Sequence, residues 1–316
     1  MRRRIEPLAD RVLRGLQRLA ASRRLGSPAA RRITLLVAVI VLAGATVTTW
    51  RQLDAGLDVR RPLMLLPAAA LAIAAVLFNS LEYVLIGRVA GVNVALRDAL
   101  RIAVLSATAN LLPIPGAAAV KFTALLRSGV PRMRAGVATL AVAVVWAGTG
   151  IAFGGLAWLH AGARAAGVAA LAVGVVGVAG GLAVASYRRP AGTRPFVTSL
   201  LLLEVAAVGL GALRLSLVVS SLGSGLSPAH GAAMYAAAAI AAAVGVFPAG
   251  LGLREWLSIG SSTLVGLPAG IGFYASILDR LVSLPMLVVA AIGLLTGRMG
   301  PYPGALEEPD AEGARR

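Results

Sequence analysis

Cysteine is absent from the sequence, which excludes disulfide bonds and thiol chemistry and leaves the redox compartment undetermined. Histidine is nearly absent, because only His160 and His230 occur and neither has a cysteine or a cluster of carboxylates beside it. No metal site and no cofactor are therefore predicted. The chain also lacks a Gly-x4-Gly-Lys-Ser/Thr phosphate loop, so it carries no ATP-driven motor of that type. Without a nucleophile beside a base, or a metal cluster, we predict that the protein is not an enzyme.

Charged residues are scarce, at 14% of the 316 residues, whereas 58% are hydrophobic. A soluble domain does not tolerate so apolar a composition, and several runs approach the ~20 residues that cross a bilayer. The predicted fold class is an all-α polytopic membrane protein. The formal net charge of +17 raises the alternative of nucleic-acid binding, but no basic fold with interleaved aromatic residues is present. We predict no nucleic-acid partner.

Basic residues concentrate at the N-terminus, where ten of the 30 lie within positions 1–32. A basic amphipathic helix lies on an anionic membrane surface, so 1–32 is predicted to be a cytoplasmic segment bound to membrane lipids. Two alternatives stay open: the arginines serve only to orient the first span, or residues 43–45 (AGA) end a cleaved signal peptide. The apolar residues that share one helical face of the segment are Leu8, Val12, Leu16 and Leu19.

Two interrupted apolar runs stand out from the others. Residues 99–126 are split at 113–116, and residues 229–265 are split around 248–250. Short helical legs that meet at such a break are typical of a re-entrant hairpin, although two true spans remain possible for the second run. We predict about six spanning helices plus two hairpins in one domain, 33–298, followed by a short polar tail, 299–316. The predicted spans are residues 33–49, 63–86, 135–159, 165–185, 196–222 and 269–296.

The distribution of arginines predicts the orientation in the membrane. With a cytoplasmic N-terminus and hairpins that return to their side of entry, twenty arginines lie on the cytoplasmic side and four in outer loops. Such a bias favours that orientation. We therefore expect a multi-pass protein of the cytoplasmic (inner) membrane of a bacterium, with both termini cytoplasmic. The first hairpin then enters from the cytoplasm and the second from outside.

The two breaks share one construction. Residues 115–121 read PGAAAVK and residues 248–254 read PAGLGLR, so each break is followed by a cation six residues after its proline. Residues 91–94 (GVNV) and 223–226 (GSGL) also correspond, 132 positions apart. Halves of span, hairpin and span in opposite directions form an inverted repeat, which in transporters places the binding site at the interface of the repeats. The alternative is chance similarity among alanine- and glycine-rich helices.

Eight ionisable residues lie inside the apolar runs, four of each sign. Equal numbers indicate a paired network, and at the 132-residue offset Glu82 could pair with Arg214. Lys121 and Arg254 follow the two breaks near helix N-termini, where phosphate binds readily, so both are predicted to bind a headgroup phosphate. The alternative is that the charges only hold helices together. For Glu82 and Glu204 a structural role is the main prediction and proton coupling the alternative.

Residues 250–255 (GLGLRE) resemble the Gly-leu-Gly-val-Arg-Glu signature of the lysylphosphatidylglycerol synthase transmembrane (flippase-like) family. Residues 110–113 (NLLP), with Gly116 and Lys121, resemble its first-half counterpart, and residues 276–281 (SILDRL) resemble the stretch before the arginine of its final span. The resemblance implies a membrane domain that moves lipids between leaflets. Residues 82–83 (Glu-Tyr) depart from the Arg-Trp that the family often has, and no aminoacyl-transferase domain is seen, so lipid aminoacylation is not expected.

The sequence thus predicts a transporter that moves an anionic lipid, either a phospholipid or a polyprenyl-phosphate-linked lipid, between leaflets. A non-transporting accessory subunit of a lipid or envelope pathway and an integral-membrane lipid-modifying enzyme are the alternatives. The identity of the lipid, the energy coupling and the oligomeric state stay open. Predicted substrate-binding residues are Lys121, Arg254, Arg280, Arg214, Asn110, Gly116 and Glu255; the charge network or coupling residues are Glu82, Glu204 and Asp279; and the hairpin breaks are Pro113, Pro115, Pro248, Gly250 and Gly252.

Overall fold

A computed structural model describes residues 59–109, 116–186, 193–244 and 252–295. Within these ranges 87% of the residues are helical, there is no strand, and nine α-helices follow one another along the chain. The predicted all-α class is confirmed for this part of the chain. The helices are α1 (Leu65–Ala90), α2 (Leu96–Ala109), α3 (Gly116–Arg127), α4 (Arg132–His160), α5 (Arg164–Ser186), α6 (Thr193–Ser221), α7 (Pro228–Val244), α8 (Leu253–Leu264) and α9 (Ala269–Leu295).

Among the described residues, four helices are long and apolar enough to cross a membrane: Pro62–Ala90, Arg132–His160, Arg164–Ser186 and Phe196–Ser221. They coincide with four of the six predicted spans, and α9 coincides with the sixth. The first predicted span, the basic segment 1–32 and the tail 299–316 lie outside the described residues.

Large apolar side chains on these long helices are turned away from the protein interior. Leu66 of α1, Leu140 of α4, Val176 of α5 and Leu202 of α6 are all exposed. An apolar surface of this extent is unfavourable in water and favourable against acyl chains. The burial pattern therefore agrees with membrane-spanning helices, in which lipid covers the outer face.

Four helices are much shorter than the rest. Helices α2 and α3 have 14 and 12 residues, and α7 and α8 have 17 and 12. At ~1.5 Å per residue, a 12-residue helix reaches about 18 Å, less than the ~30 Å hydrocarbon core. Helix α2 packs against α3, and α7 packs against α8. The connections 110–115 and 245–251, with Asn110, Pro113, Pro115, Pro248 and Gly250, lie outside the described residues, so the re-entrant hairpins stay a prediction.

The order of helix lengths is the same on both sides of α5. Helices α1 to α4 run long, short, short, long, with 26, 14, 12 and 29 residues. Helices α6 to α9 repeat the order with 29, 17, 12 and 27 residues. The sets are in contact, since α6 packs against α1 and α7 packs against α4. The order agrees with two related halves, whereas their opposite insertion stays a prediction.

Small residues allow α4 to pack closely against α5. A Cβ atom on Gly148 of α4 would lie 2.8 Å from the backbone oxygen of Gly174 of α5, and a Cβ atom on Gly155 would lie 2.9 Å from that of Gly167. Backbones that approach this closely are typical of helix pairs in membranes, where small residues line the interface. The close contact with α5 supports α4. Helix α4 also contacts α7 and positions α7 beside the charged residues.

Candidate functional site

The charged residues that the sequence places in apolar runs gather in two groups on five helices. We call Glu82 of α1, Lys121 of α3 and Glu204 of α6 the first charge cluster. The second charge cluster combines residues of three helices, α6, α8 and α9. Its members are Arg214, Arg254, Glu255, Asp279 and Arg280.

In the first charge cluster, the cation has one close carboxylate partner. Lys121 Nζ lies 2.7 Å from Glu82 Oε1, and the two side chains are 11% and 12% exposed. The Tyr83 hydroxyl donates a hydrogen bond of 3.4 Å to the backbone oxygen of Lys121. Helix α1 therefore holds α3 through two neighbouring residues. Lys121 is the sixth residue of α3, counted from Gly116 at the start of the described helix.

Glu204 is the second carboxylate of the first charge cluster. It is 1% exposed, and neither of its oxygens accepts a hydrogen bond from any residue that the structure describes. Glu204 interacts electrostatically with both Glu82 and Lys121. The first charge cluster therefore contains two carboxyl groups and one ammonium group, which gives it a formal charge of −1 when all three groups are ionised.

In the second charge cluster, one carboxylate serves two arginines. Arg254 Nη2 donates a hydrogen bond of 2.6 Å to Asp279 Oδ2, and Arg214 Nη2 donates one of 3.1 Å to the same oxygen. Arg214 Nε lies 2.8 Å from the other oxygen, Oδ1. Asp279, only 1% exposed, thus joins α9 to both α6 and α8. Arg254 lies in the first turn of α8, close to the helix N-terminus.

Glu255 caps the N-terminus of α8 in addition to forming an ion pair. Its Oε2 accepts a hydrogen bond of 2.6 Å from the backbone N–H of Gly252, which precedes α8 and has a φ of 82°. This is half of a capping box, at a position where the left-handed backbone favours glycine. Glu255 Oε1 lies 2.9 Å from Arg280 Nη2 and accepts a hydrogen bond of 3.4 Å from the Ser276 hydroxyl. Gly252, predicted as part of a break, is therefore a helix cap, and Glu255 links it to α9.

The second charge cluster has an excess of positive charge and of hydrogen-bond donors. Three guanidinium groups face two carboxylates, which leaves a formal charge of +1. The Nε groups of Arg254 and Arg280 are buried and donate no hydrogen bond to any described residue. The side chains of the three arginines keep 15–16% of their surface exposed. Buried N–H groups without an acceptor are costly, so the cluster is suited to receive an anion with several oxygens, such as a phosphate.

Tyr235 of α7 lies between the two clusters and was not found from the sequence. It is within electrostatic range of Arg214, Glu204 and Glu82, and its hydroxyl accepts a hydrogen bond of 2.9 Å from Trp146 Nε1. A Cβ atom on Gly211 of α6 would overlap the tyrosine ring. The one signal in the sequence was a lone aromatic residue in the alanine-rich stretch of α7.

One predicted pair of site residues is not formed in the structure, and several other predicted site residues lie outside the described ranges. The Glu82–Arg214 pair is not what the structure shows, because Glu82 pairs with Lys121 and Arg214 pairs with Asp279. Asn110, predicted to bind substrate, and the four break residues Pro113, Pro115, Pro248 and Gly250 lie outside the described residues. Among the described residues, no group of three or more histidine, cysteine or acidic residues could hold a metal ion.

Comparison of the chain with protein-family models, with curated proteins and with solved structures finds no match. The chemistry of the site therefore has to be inferred from its own residues. The resemblance of residues 250–255 to the flippase-like signature is not tested by these comparisons.

Proposed function

We propose that the protein moves an anionic lipid, a phospholipid or a polyprenyl-phosphate-linked lipid, between the leaflets of a bilayer. The observation that carries the proposal is the second charge cluster, in which three arginines face two carboxylates and two buried Nε groups lack an acceptor. Arg214 lies on α6, whose residues Phe196–Ser221 are long and apolar enough to cross a membrane. An intramembrane cation is expensive and marks a functional site by default.

The geometry supports binding of phosphate by exchange of partners. Arg214 and Arg254 both point a guanidinium group at Asp279. A phosphate oxygen that approaches them competes with this carboxylate and takes over its hydrogen bonds. Arginine presents a planar fork that matches phosphate, and its charge persists at every pH of interest. In the structure, Asp279 is paired with both cations, which lowers the cost of their burial.

Arg280 supplies the remaining positive charge. Its partner Glu255 is also committed to the cap of α8 through Gly252, so that carboxylate is shared between two tasks. An anion bound at Arg254 therefore contacts the first turn of a helix whose cap depends on Glu255. Binding of a headgroup and the position of α8 are linked through this one residue.

The wider arrangement in the membrane belongs to the same proposal. We place the protein in the cytoplasmic membrane of a bacterium with both termini cytoplasmic, on the arginine distribution of the sequence. The short helices α2, α3, α7 and α8 form two re-entrant hairpins of an inverted repeat, which brings the two clusters to its interface. The resemblance of residues 250–255 to the flippase-like signature points in the same direction.

One observation favours a second candidate, a non-transporting accessory subunit. The four cations of the two clusters, including Lys121 with Glu82 and Arg280 with Glu255, all have a carboxylate within 3.1 Å. Such pairs alone would hold helices together in a membrane. The unpaired Nε groups and the surplus cation of the second charge cluster favour the transporter.

The proposal is tested by reconstitution of the full chain into phosphatidylcholine vesicles with fluorescent lipid probes. We expect transfer of labelled phosphatidylglycerol and of a labelled polyprenyl phosphate between leaflets, and little transfer of a labelled glycosyl diacylglycerol, whose neutral sugar headgroup has no phosphate. Vesicles without protein set the background rate. Transfer of all probes at the background rate would contradict the transporter and leave the accessory subunit as the better proposal.

A further inference from the structure

Glu204 is a buried carboxyl group that binding of an anionic headgroup does not require. It is 1% exposed, and both of its oxygens are buried without a hydrogen-bond partner in the described part of the chain. A carboxylate in this position is costly when it is ionised, because burial removes it from bulk solvent and no described donor compensates. A bound proton removes that cost. Glu204 is therefore a candidate proton site.

The charged surroundings of Glu204 are asymmetric. Helix α6 packs against α1, α4, α5, α7, α9 and the 3-10 turn Pro62–Met64, which has no charged residue. Helix α1 contributes Glu82, which is paired with Lys121 of α3, and α7 contributes Tyr235. Helices α4 and α5 have charged residues only at their ends, and His230 lies in the first turn of α7. The acidic and basic residues of α9, Asp279 and Arg280, and Arg214 of α6 itself belong to the second charge cluster.

Binding or release of a proton by Glu204 affects the ion pair of Lys121 and Glu82. In the structure, Lys121 Nζ is paired with Glu82 across the contact of α1 and α3. When Glu204 releases its proton to water, a second carboxylate competes for the same ammonium group. That competition draws Lys121 toward α6, away from α1. When Glu204 takes up a proton, the Lys121–Glu82 pair is restored.

We propose that Glu204 is a proton-binding carboxyl that couples movement of the lipid to a transmembrane proton gradient. The inference rests on the proposed function and adds its energy source. The proton moves between water and the Glu204 carboxyl group, and no other reactant is consumed. Helix α6 carries both Glu204 and Arg214, ten residues apart, so an altered balance at the first charge cluster acts on a helix that also holds the anion site.

The first experiment imposes a pH gradient on vesicles that contain the full chain and labelled phosphatidylglycerol. If one proton moves with each lipid, a gradient of about one pH unit supports up to about a tenfold asymmetry of the probe between leaflets. We expect such an asymmetry for the wild type. For Glu204→Gln we expect the probe to reach the same distribution with and without the gradient. Asp98→Asn, which removes a carboxylate of α2 outside both clusters, is the matched control and should behave as wild type.

The second experiment measures the proton directly by infrared difference spectroscopy of the reconstituted protein. A protonated carboxyl group gives a C=O stretching band that Glu204→Gln should lack and Asp98→Asn should keep. This readout does not depend on transport, so it decides the proton site even if the variant moves no lipid. Identical bands in wild type and Glu204→Gln would overturn the proposal.

The outcomes separate this inference from the proposed function. A wild type that moves no probe in any condition contradicts the lipid transporter. A wild type that moves labelled phosphatidylglycerol but reaches the same distribution with and without the gradient contradicts proton coupling alone. An asymmetry that persists in Glu204→Gln assigns the coupling to another group and overturns the role of Glu204.

Discussion

The two charge clusters occupy corresponding places in the chain but differ in their chemistry. Glu82 and Arg214 are 132 positions apart, and Lys121 and Arg254 are 133 apart. In the first cluster, the span residue and the short-helix residue have opposite charges and pair directly at 2.7 Å. In the second cluster, both positions hold arginine, and the carboxylate between them comes from α9 as Asp279.

The two charge clusters differ in their net charge and in the hydrogen-bond donors that have no acceptor. In the first cluster the single cation, Lys121, is paired with Glu82, and the additional group is the buried carboxyl of Glu204. Two arginines on one carboxylate leave spare donors, and the extra charge of the second cluster is positive. The first cluster is therefore suited to proton exchange, and the second to an anion. The comparison predicts that removal of a single acid has unequal consequences in the two clusters.

The largest expected effect is that of Asp279→Asn. It removes the carboxylate that two guanidinium groups share, and breaking a buried ion pair by loss of one partner costs about 3–5 kcal/mol. We expect a marked fall in the thermal unfolding temperature of the detergent-solubilised protein, with a smaller fall for Glu82→Gln, since Lys121 still has Glu204 nearby. Equal stability of Asp279→Asn and wild type would contradict the bridging role of Asp279.

A second test asks whether Arg254 and Lys121 differ in how they bind a lipid headgroup. Arg254→Lys replaces a planar fork by a point charge and should lose a charge-assisted hydrogen bond of about 1.5–3 kcal/mol, which is about 10- to 150-fold in transfer of labelled phosphatidylglycerol. Lys121→Arg keeps a cation opposite Glu82 and should reduce transfer much less. Rates are compared at matched amounts of reconstituted protein. If Lys121→Arg is the more damaging change, the assignment of phosphate to the second charge cluster is wrong.

The direct pair of the first charge cluster can be measured by a double-mutant cycle with Lys121→Ala and Glu82→Ala. Lys121→Ala leaves two carboxylates without a cation, so it should destabilise the protein more than the double change does. We expect a coupling free energy of about 1–2 kcal/mol from unfolding in detergent, in the range usual for residues in contact. A coupling of zero would show that the pair seen at 2.7 Å contributes nothing to stability.

The smallest expected effect is that of Tyr235→Phe, a change at the residue that lies between the two clusters. Tyr235→Phe keeps the ring beside Gly211 but removes the oxygen that accepts a hydrogen bond from Trp146. We expect a loss of about 0.5–1.5 kcal/mol in unfolding free energy. Gly211→Ala, by contrast, adds a methyl group where the ring lies and should be the more damaging of the two. The reverse order would contradict the packing described for α6 and α7.

Hydropathy predicts most of the fold because membrane-crossing length is a property of a single segment. The runs 63–86, 135–159, 165–185 and 196–222 each correspond to a helix of that length. Pairing is less predictable because it depends on how each helix is rotated about its axis. Residues at matching positions of the predicted repeat, such as Glu82 and Arg214, need not meet, and each pairs with another residue. Asp279 was assigned to a charge network, but its two partners follow only from the packing of α9.

The central claim is that the second charge cluster binds the phosphate of a lipid headgroup. Its most direct test is the transfer rate of labelled phosphatidylglycerol for Arg254→Ala beside Arg164→Ala, an exposed cation at the start of α5, at matched amounts of reconstituted protein. We predict that Arg164→Ala transfers the probe at the wild-type rate and that Arg254→Ala falls at least about tenfold, for loss of a charge-assisted hydrogen bond. Equal rates for Arg254→Ala and Arg164→Ala would contradict the account.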